Sequence, residues 1–150
     1  MRHIYRCPMR WSDMDVYGHV NNVVFLRYLE EARVNFLFRP DKNFKQGSVV
    51  ARHEIDYKQQ LVHRHEPVDV ELWVTEIRAA SFTLTYEVKD GDQVYVRAST
   101  VIVPFDFEHR RPRRITDEEQ EFLEEYLEEP EVKNRAKGKG KKKDQEAVTV

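Results

Sequence analysis

The alternation of hydrophobic and polar residues divides the chain into one helical stretch and a series of strands. From Asn21 to about Phe38, apolar side chains recur at helical spacing and leave only a narrow polar stripe. The main apolar positions are Phe25, Tyr28, Leu29, Ala32 and Phe36, widened by Val24, Leu37 and Phe38. So wide an apolar arc predicts a helix that is covered over most of its surface.

Strand patterns come before and after this helix. Residues 2–11 form a short mixed strand, and residues 48–103 read as four strands joined by polar links. The stretch SFTLTYEV alternates strictly, which is typical of a strand with one buried face. Asp90-Gly91 is a strong hairpin signal. Because the links are short, we expect the four strands to pair in order as an antiparallel meander that ends at Pro104.

The end of the chain contains two further patterns, an acidic helix and a lysine-rich tail. Thr116 to Glu129 predicts a short acidic helix, with Thr116 as N-cap and Glu119 at capping-box spacing. Residues 131–150 are lysine-rich and poor in hydrophobic residues, which is typical of a disordered basic tail. We therefore expect one α+β domain over residues 1–130 and a tail over residues 131–150.

Composition excludes several classes of protein. The chain has 150 residues, a formal net charge of −2 and a single cysteine, Cys7, so it has no internal disulfide. No stretch approaches the roughly 20 apolar residues of a membrane span, and no signal peptide precedes the start MRHIYR. The body of the chain is nearly balanced in charge, which disfavours nucleic acid as a partner. We expect a soluble cytoplasmic protein.

Candidate chemistry is concentrated in DMDVYGHVNN, just before the long helix. A helix N-terminus carries unpaired N–H groups and partial positive charge, so it can polarise a carbonyl. A nearby carboxylate such as Asp15 could attack that carbonyl or activate water, with His19 in the same pocket. Capping and turn formation explain the same residue types, and Asp13 with Asp15 could bind magnesium. No glycine-rich phosphate loop or second acidic cluster accompanies them, so we expect no metal.

The stretch RWSDMDVYGHVNNVVFLRYLEEAR resembles the opening motif of the hotdog-fold acyl-CoA thioesterases, in the 4-hydroxybenzoyl-CoA thioesterase-like branch. It is also similar to plant acyl-ACP thioesterases, which have Trp-Ser-Asp-x-Asp followed by His-Val-Asn-Asn. The resemblance covers about residues 2–115. It implies a hotdog fold, an antiparallel sheet wrapped around one long central helix. It also implies thioester hydrolysis by a homodimer or homotetramer, acting on acyl-CoA or acyl-ACP without a cofactor beyond the coenzyme A of the substrate.

The same resemblance implies roles for individual residues. Asp15 matches the catalytic carboxylate, as nucleophile or general base, and His19 matches a catalytic histidine of the acyl-ACP branch. Tyr17 departs from the asparagine found there, which favours Asp15 and the helix dipole as the catalytic core. The residues expected to bind substrate and its oxyanion are Tyr17, Gly18, Val20, Asn21 and Asn22. Candidates for a second carboxylate are Glu54 and Asp56, and candidates for coenzyme A contacts are Arg78, Ser81, Arg97 and the loop HRRPRR.

Two alternatives remain open at this stage. A hotdog enoyl-CoA hydratase or dehydratase would also pair an acid with a histidine, but the stretches typical of those enzymes, Gly-Asp-x-Asn-Pro-x-His and Gly-His-Phe-Pro, do not occur. A non-catalytic acyl-CoA-binding protein would bind the thioester without releasing thiol.

Overall fold

The computed structural model describes residues 1–38, 44 and 46–129. The predicted tail at residues 131–150 lies outside the described residues, so the domain boundary near residue 130 stays a prediction. The α-helices are α1 (Asn22–Leu37) and α2 (Asp117–Glu124), and a short 3-10 helix spans Trp11–Asp13. The strands are β1 (His3–Cys7), β2 (Ser48–Tyr57), β3 (Val68–Ile77), β4 (Phe82–Asp90), β5 (Gln93–Asp106) and β6 (Arg111–Pro112).

The strands form one antiparallel sheet in the order β1-β3-β4-β5-β2, with β6 paired to β5. The expected meander is therefore correct from β3 to β5 and wrong for β2. This strand pairs with β5, and β3 pairs with β1 instead. The connection over residues 58–67 is too long for a tight hairpin, and it carries the chain from one side of the sheet to the other.

Helix α1 buries the predicted apolar face. Phe25, Tyr28 and Phe36 are at most 2% exposed, and the helix packs against β1 and β3. Asn21 is the N-cap, because its side-chain oxygen accepts a hydrogen bond from the Val23 N–H at 2.9 Å. The sequence pattern did not predict that Arg33 would also be buried in this helix.

The β4–β5 hairpin follows the alternation of the sequence. The alternate residues Phe82, Leu84, Tyr86 and Val88 are all buried. Gly91 adopts a φ of +56° in the turn, as the Asp-Gly signal predicts. The expectation that Pro104 ends β5 is wrong, since the strand continues to Asp106. Proline has no N–H to donate, but Phe105 next to it donates to the carbonyl oxygen of Gly47 at 2.9 Å, so the ladder towards β2 continues.

Helix α2 has the predicted capping box between Thr116 and Glu119 but is shorter than expected. The helix ends at Glu124 because the following residues bond to β3: the Val74 N–H donates to the Tyr126 carbonyl, and the Glu128 N–H donates to the Val74 carbonyl. The rings of Phe122 and Tyr126 pack on Phe36, in the last turn of α1. Helix α2 therefore covers the C-terminal end of α1 and leaves its N-terminal end open.

Arg2 joins the start of the chain to the segment after α2. Its guanidinium lies 3.6 Å from the ring centroid of Trp73 and bonds to Glu128 at 2.7 Å. It also pairs with Glu71 and Glu87. These partners lie on the outer face of the sheet, opposite the face that carries α1. Within the described parts of the chain, neither helix is long and apolar enough to cross a membrane.

Candidate active site

An open cavity of about 1030 Å³ lies at the N-terminus of α1. Three segments of chain line it: the loop before the helix, the first turn of the helix, and the end of β2 with the residues that follow it. The lining residues are Asp15, Tyr17, His19, Val20, Asn21, Asn22, Phe25, Tyr57, Lys58, Gln59 and Gln60. Most of the residues that the sequence predicted for catalysis and substrate binding are therefore brought together here.

A tight turn fixes Asp15 and His19 relative to each other. The Asp15 N–H donates to the His19 carbonyl at 2.9 Å, and the Gly18 N–H donates to the Asp15 carbonyl at 3.1 Å. Gly18 has a φ of +79°, which residues with a β-carbon rarely adopt. One oxygen of the Asp15 carboxylate accepts the Tyr17 N–H at 2.8 Å. The turn thus orients the carboxylate on the same cavity wall as the histidine.

Asp13 anchors this turn to α1 and takes no part in lining the cavity. Its side chain is 1% exposed and accepts hydrogen bonds from the Tyr28 hydroxyl at 2.6 Å, from Arg27 at 2.6 Å and from the Arg10 N–H at 2.9 Å. Burial raises the pKa of Tyr28, and the hydrogen bond to Asp13 raises it further, so the phenol stays a neutral donor. With its acceptor sites taken by protein donors, Asp13 has a structural role.

Backbone hydrogen bonds restrict which N–H groups could contact a ligand. The N–H groups of Tyr17 and Gly18 are used within the turn, that of Val20 donates to the Leu61 carbonyl at 2.7 Å, and that of Asn21 donates to the Asp13 carbonyl at 3.0 Å. The N–H of Asn22, the first residue of α1, has no acceptor among the described residues. No acidic residue lies in the first turn of α1 to offset the positive end of the helix dipole.

The opposite wall comes from residues that the sequence analysis missed. The Tyr57 hydroxyl donates to the Asn22 carbonyl at 2.9 Å, and its ring lies 5.9 Å from that of Phe25. Burial raises the pKa of Tyr57, which keeps this donor protonated. Lys58 is held nearby because its N–H donates to the Tyr95 carbonyl of β5. The pairing of β2 with β5 creates this wall, and no local sequence signal predicts that pairing.

The other predicted residues considered next do not line this cavity. Glu54 and Asp56 pair with Ser99 and Arg97 of β5, so all four lie on the outer face of the sheet. Two further candidates, Arg78 and Ser81, lie at the β3–β4 hairpin, where the Arg78 N–H donates to the Ser81 carbonyl. That hairpin is at the far end of the sheet from Tyr57.

One group of described residues has the spacing of metal ligands. Side-chain ligand atoms of Asp106, Glu108 and His109 lie within 4.8 Å of one another in the exposed turn after β5. Asp106 accepts the backbone N–H groups of the other two residues and also contacts the His109 ring at 2.7 Å. These bonds lower the pKa of Asp106, with the His109 N–H as the main cause. Turn formation accounts for the cluster without a metal.

Comparison with known proteins places the chain in a family. A family model described as the thioesterase-like superfamily matches residues 9–124. The chain belongs to the thioesterase-like superfamily. The resemblance read from the sequence is confirmed, and the antiparallel sheet with two helices is consistent with the hotdog fold of that family.

Individual relatives agree with this membership. YsmA of Bacillus subtilis (strain 168), an uncharacterized protein, is 31% identical over 123 residues, or 79% of this chain and 82% of YsmA. A predicted thioesterase from Bacillus stearothermophilus is 29% identical, with a TM-score of 0.78 over 87% of this chain and 99% of that one. A thioesterase from Thermus thermophilus, complexed with coenzyme A and Zn, is 27% identical, with a TM-score of 0.71 over 82% and 92% of the two chains.

Proposed function

We propose that this member of the thioesterase-like superfamily is an acyl-CoA thioesterase, which hydrolyses an acyl-CoA or acyl-ACP to the free acid and the thiol. The observation that carries the proposal is the convergence, in one cavity, of the Asp15 carboxylate and the open N-terminus of α1. The coenzyme A bound by the Thermus thermophilus relative supports an acyl-CoA as substrate. The reaction needs no further cofactor, because water is the second reactant.

The thioester carbonyl oxygen would lie at the start of α1. There the Asn22 N–H and the positive end of the helix dipole stabilise the negative charge that develops during attack. As a general base, Asp15 takes a proton from water while the water oxygen bonds to the carbonyl carbon. The carbon–sulfur bond then breaks, and the thiolate takes up that proton. As a nucleophile, Asp15 would instead attack the carbonyl carbon and expel the thiolate to form an anhydride, and water then hydrolyses this anhydride to release the free acid and restore Asp15. His19 supports either route from the same wall.

The hotdog arrangement and the assembly belong to the same proposal. In it, α1 is the central helix around which the sheet wraps, and two or four copies of the chain associate. The edge strand β2 supports association, because most of its side chains are exposed and its outer edge is unpaired among the described residues. Light scattering of the purified protein would distinguish a dimer, a tetramer and a monomer.

Thiol release from acyl-CoA thioesters tests the proposal directly. We expect Asp15→Asn to fold normally and to lower kcat/KM by roughly 10²- to 10⁴-fold, since it removes the catalytic carboxylate. His19→Ala should reduce kcat/KM less. Asp56→Asn is the matched control, because it makes the same chemical change on the outer face of β2 and should keep its activity.

Three outcomes would contradict this assignment. Full turnover by Asp15→Asn would remove Asp15 from the mechanism. Tight acyl-CoA binding without thiol release would favour a binding protein. Hydration of an enoyl-CoA, seen as loss of the conjugated double bond, would favour a hydratase.

A further inference from the structure

Tyr57 lines the cavity, and the inner face of β2 continues beyond it as a strip of side chains that we call the trough. Its wall consists of Tyr57, Ile55 and His53, which alternate on this face and pair with Val96, Ala98 and Thr100 of β5. Helix α1 packs towards β1 and β3, so this wall is incompletely covered, and Tyr57 remains 37% exposed. The trough begins where the rings of Phe25 and Tyr57 meet.

Helix and strand geometry bring Arg33 and His53 together at the far end of the trough. Arg33 follows Phe25 by eight residues, which is about 12 Å along a helix. His53 precedes Tyr57 by four residues, which is about 13 Å along a strand. The two distances agree. The pKa of His53 is lowered, first by burial and then by the positive charge of Arg33, as expected for neighbouring groups.

Arg33 is a buried cation with few partners. Its side chain is only 11% exposed, and a guanidinium carries five N–H donors. Among the described residues, the only hydrogen bond it makes is to the Tyr86 hydroxyl, at 3.3 Å. The nearest carboxylate oxygen belongs to Glu30, at 4.0 Å, and that side chain is 67% exposed and therefore well screened. A buried charge is costly unless it is paired, so this arrangement is suited to an incoming anion.

Apart from the exposed Glu30, the groups around Arg33 are polar and neutral. Burial raises the pKa of Tyr86, which keeps its phenol protonated. The Thr100 hydroxyl is fully buried and lies 2.8 Å from the Nδ1 of His53. With the pKa of His53 lowered and Glu30 screened by solvent, the one buried positive charge of Arg33 matches a singly charged carboxylate better than a phosphate.

We infer that Arg33, with His53 beside it, binds a carboxylate at the far end of the acyl group, and that the buried Tyr86 and Thr100 hold these two side chains in position. This inference rests on the proposed function and specifies its substrate class: thioesters of dicarboxylic acids, in which one carboxyl is joined to the thiol and the other is free. The thioester carbonyl lies at the start of α1, and the chain between the two ends follows the trough. The free carboxylate pairs with the guanidinium, which favours two-point contact.

The test compares pairs of acyl-CoA substrates that have the same chain length and end either in a methyl group or in a carboxylate. We expect the wild-type protein to prefer the carboxylate member, with an optimum at the chain length that spans about 12 Å. Arg33→Met should lower the ratio of kcat/KM for the two substrates by roughly tenfold or more. Arg33→Lys keeps the charge and should retain part of the preference. Arg6→Met is the matched control, on an exposed arginine of β1, and should leave the ratio unchanged.

Each result has one meaning. If the wild type hydrolyses methyl-ended substrates best at every length, the carboxylate subsite is wrong while the thioesterase proposal stands. If Arg33→Met lowers both rates equally, or changes only the oligomeric state, Arg33 has a structural role and the inference fails. If the wild type releases thiol from neither series, the proposed function itself is wrong. Should Arg33→Met not fold, the wild-type preference and the Arg33→Lys ratio decide.

Discussion

The two helices of this protein begin in opposite ways. The N-terminus of α2 is closed by side chains: Thr116 caps it, Glu119 completes a capping box, and Asp117, Glu118 and Glu119 place three acids in the first turn. Arg113 then binds the buried Glu119 carboxylate through two nitrogens, at 2.7 and 2.9 Å. This end of α2 meets every requirement of a stable helix start, and it leaves no room for a ligand.

Helix α1 begins with a single capping side chain, Asn21, and no acid. Its first turn faces the cavity, and its anchoring contacts are on the buried side through Asp13. The first turn of α1 therefore carries no acidic residue of its own, while the first turn of α2 carries three. A helix start that gives up stabilisation in this way is suited to bind the negative charge of a reacting group.

The largest effect on stability should come from removing the anchor behind α1. Asp13→Ala would leave the Tyr28 hydroxyl and the Arg27 guanidinium without their acceptor inside the protein. We expect the free energy of unfolding to fall by about 3–5 kcal/mol, measured by chemical denaturation. Asp13→Asn keeps the shape and should lose less. An unchanged denaturation midpoint in Asp13→Ala would show that the turn holds without this anchor.

A smaller effect is expected at the closed end of α2. Glu119→Gln removes the charge that Arg113 binds and should lower the free energy of unfolding by about 1.5–3 kcal/mol. Burial alone would raise the pKa of Glu119, but Arg113 and the Thr116 N–H together hold it below the ordinary value of 4.5. The stabilisation is therefore present above pH 4.5 and is lost as the pH falls through the pKa of the native state.

Activity at neutral pH provides the control for Glu119→Gln. It should be retained at a temperature where the variant is folded, because Arg113 and Glu119 lie at the opposite end of the molecule from the cavity. Wild type and variant should also converge in stability at acid pH. If they stay equally far apart below the native pKa of Glu119, its charge is not the source of the difference.

The smallest effect on stability is expected when a negative charge is added to the start of α1 or removed from the start of α2. These two variants also test most directly whether the two helix starts differ in function. Asn22→Asp places a carboxylate in the first turn of α1 and should raise the free energy of unfolding by about 0.5 kcal/mol. The same charge should lower kcat/KM by roughly tenfold, because it opposes the developing oxyanion. Asp117→Asn in α2 should lose about 0.5 kcal/mol and keep its activity. Equal activities in the two variants would contradict an open, reactive start of α1.

Local signals in the sequence predict much of this fold. The wide apolar arc predicts α1 to within a residue at each end, Thr116 and Glu119 predict the start of α2, and Asp90-Gly91 predicts the β4–β5 turn. Each depends on residues close together in the chain. The position of β2 could not be predicted in this way, because its pairing with β5 joins residues as far apart in the chain as Ser48 and Pro104.

The candidate site likewise has one part that local sequence signals predict and one part that they do not. The loop from Asp15 to Asn22 could be read from its motif and from its place before a helix. The wall formed by Tyr57 and Lys58 could not, because it depends on the β2–β5 pairing. The burial of Arg33 could not be predicted for another reason. A charged residue inside an amphipathic helix is normally assigned to the polar stripe, and only the packing reveals that this one is buried.

The contact between Arg2 and Glu128 has a practical consequence for handling the protein. It holds the beginning of the chain and the last described segment side by side on the outer face of the sheet, while the cavity opens on the other face. A protein immobilised on a surface through its N-terminus would therefore present its cavity to the solution. A fluorescent label at that terminus would report on the outer face without obstructing substrate entry.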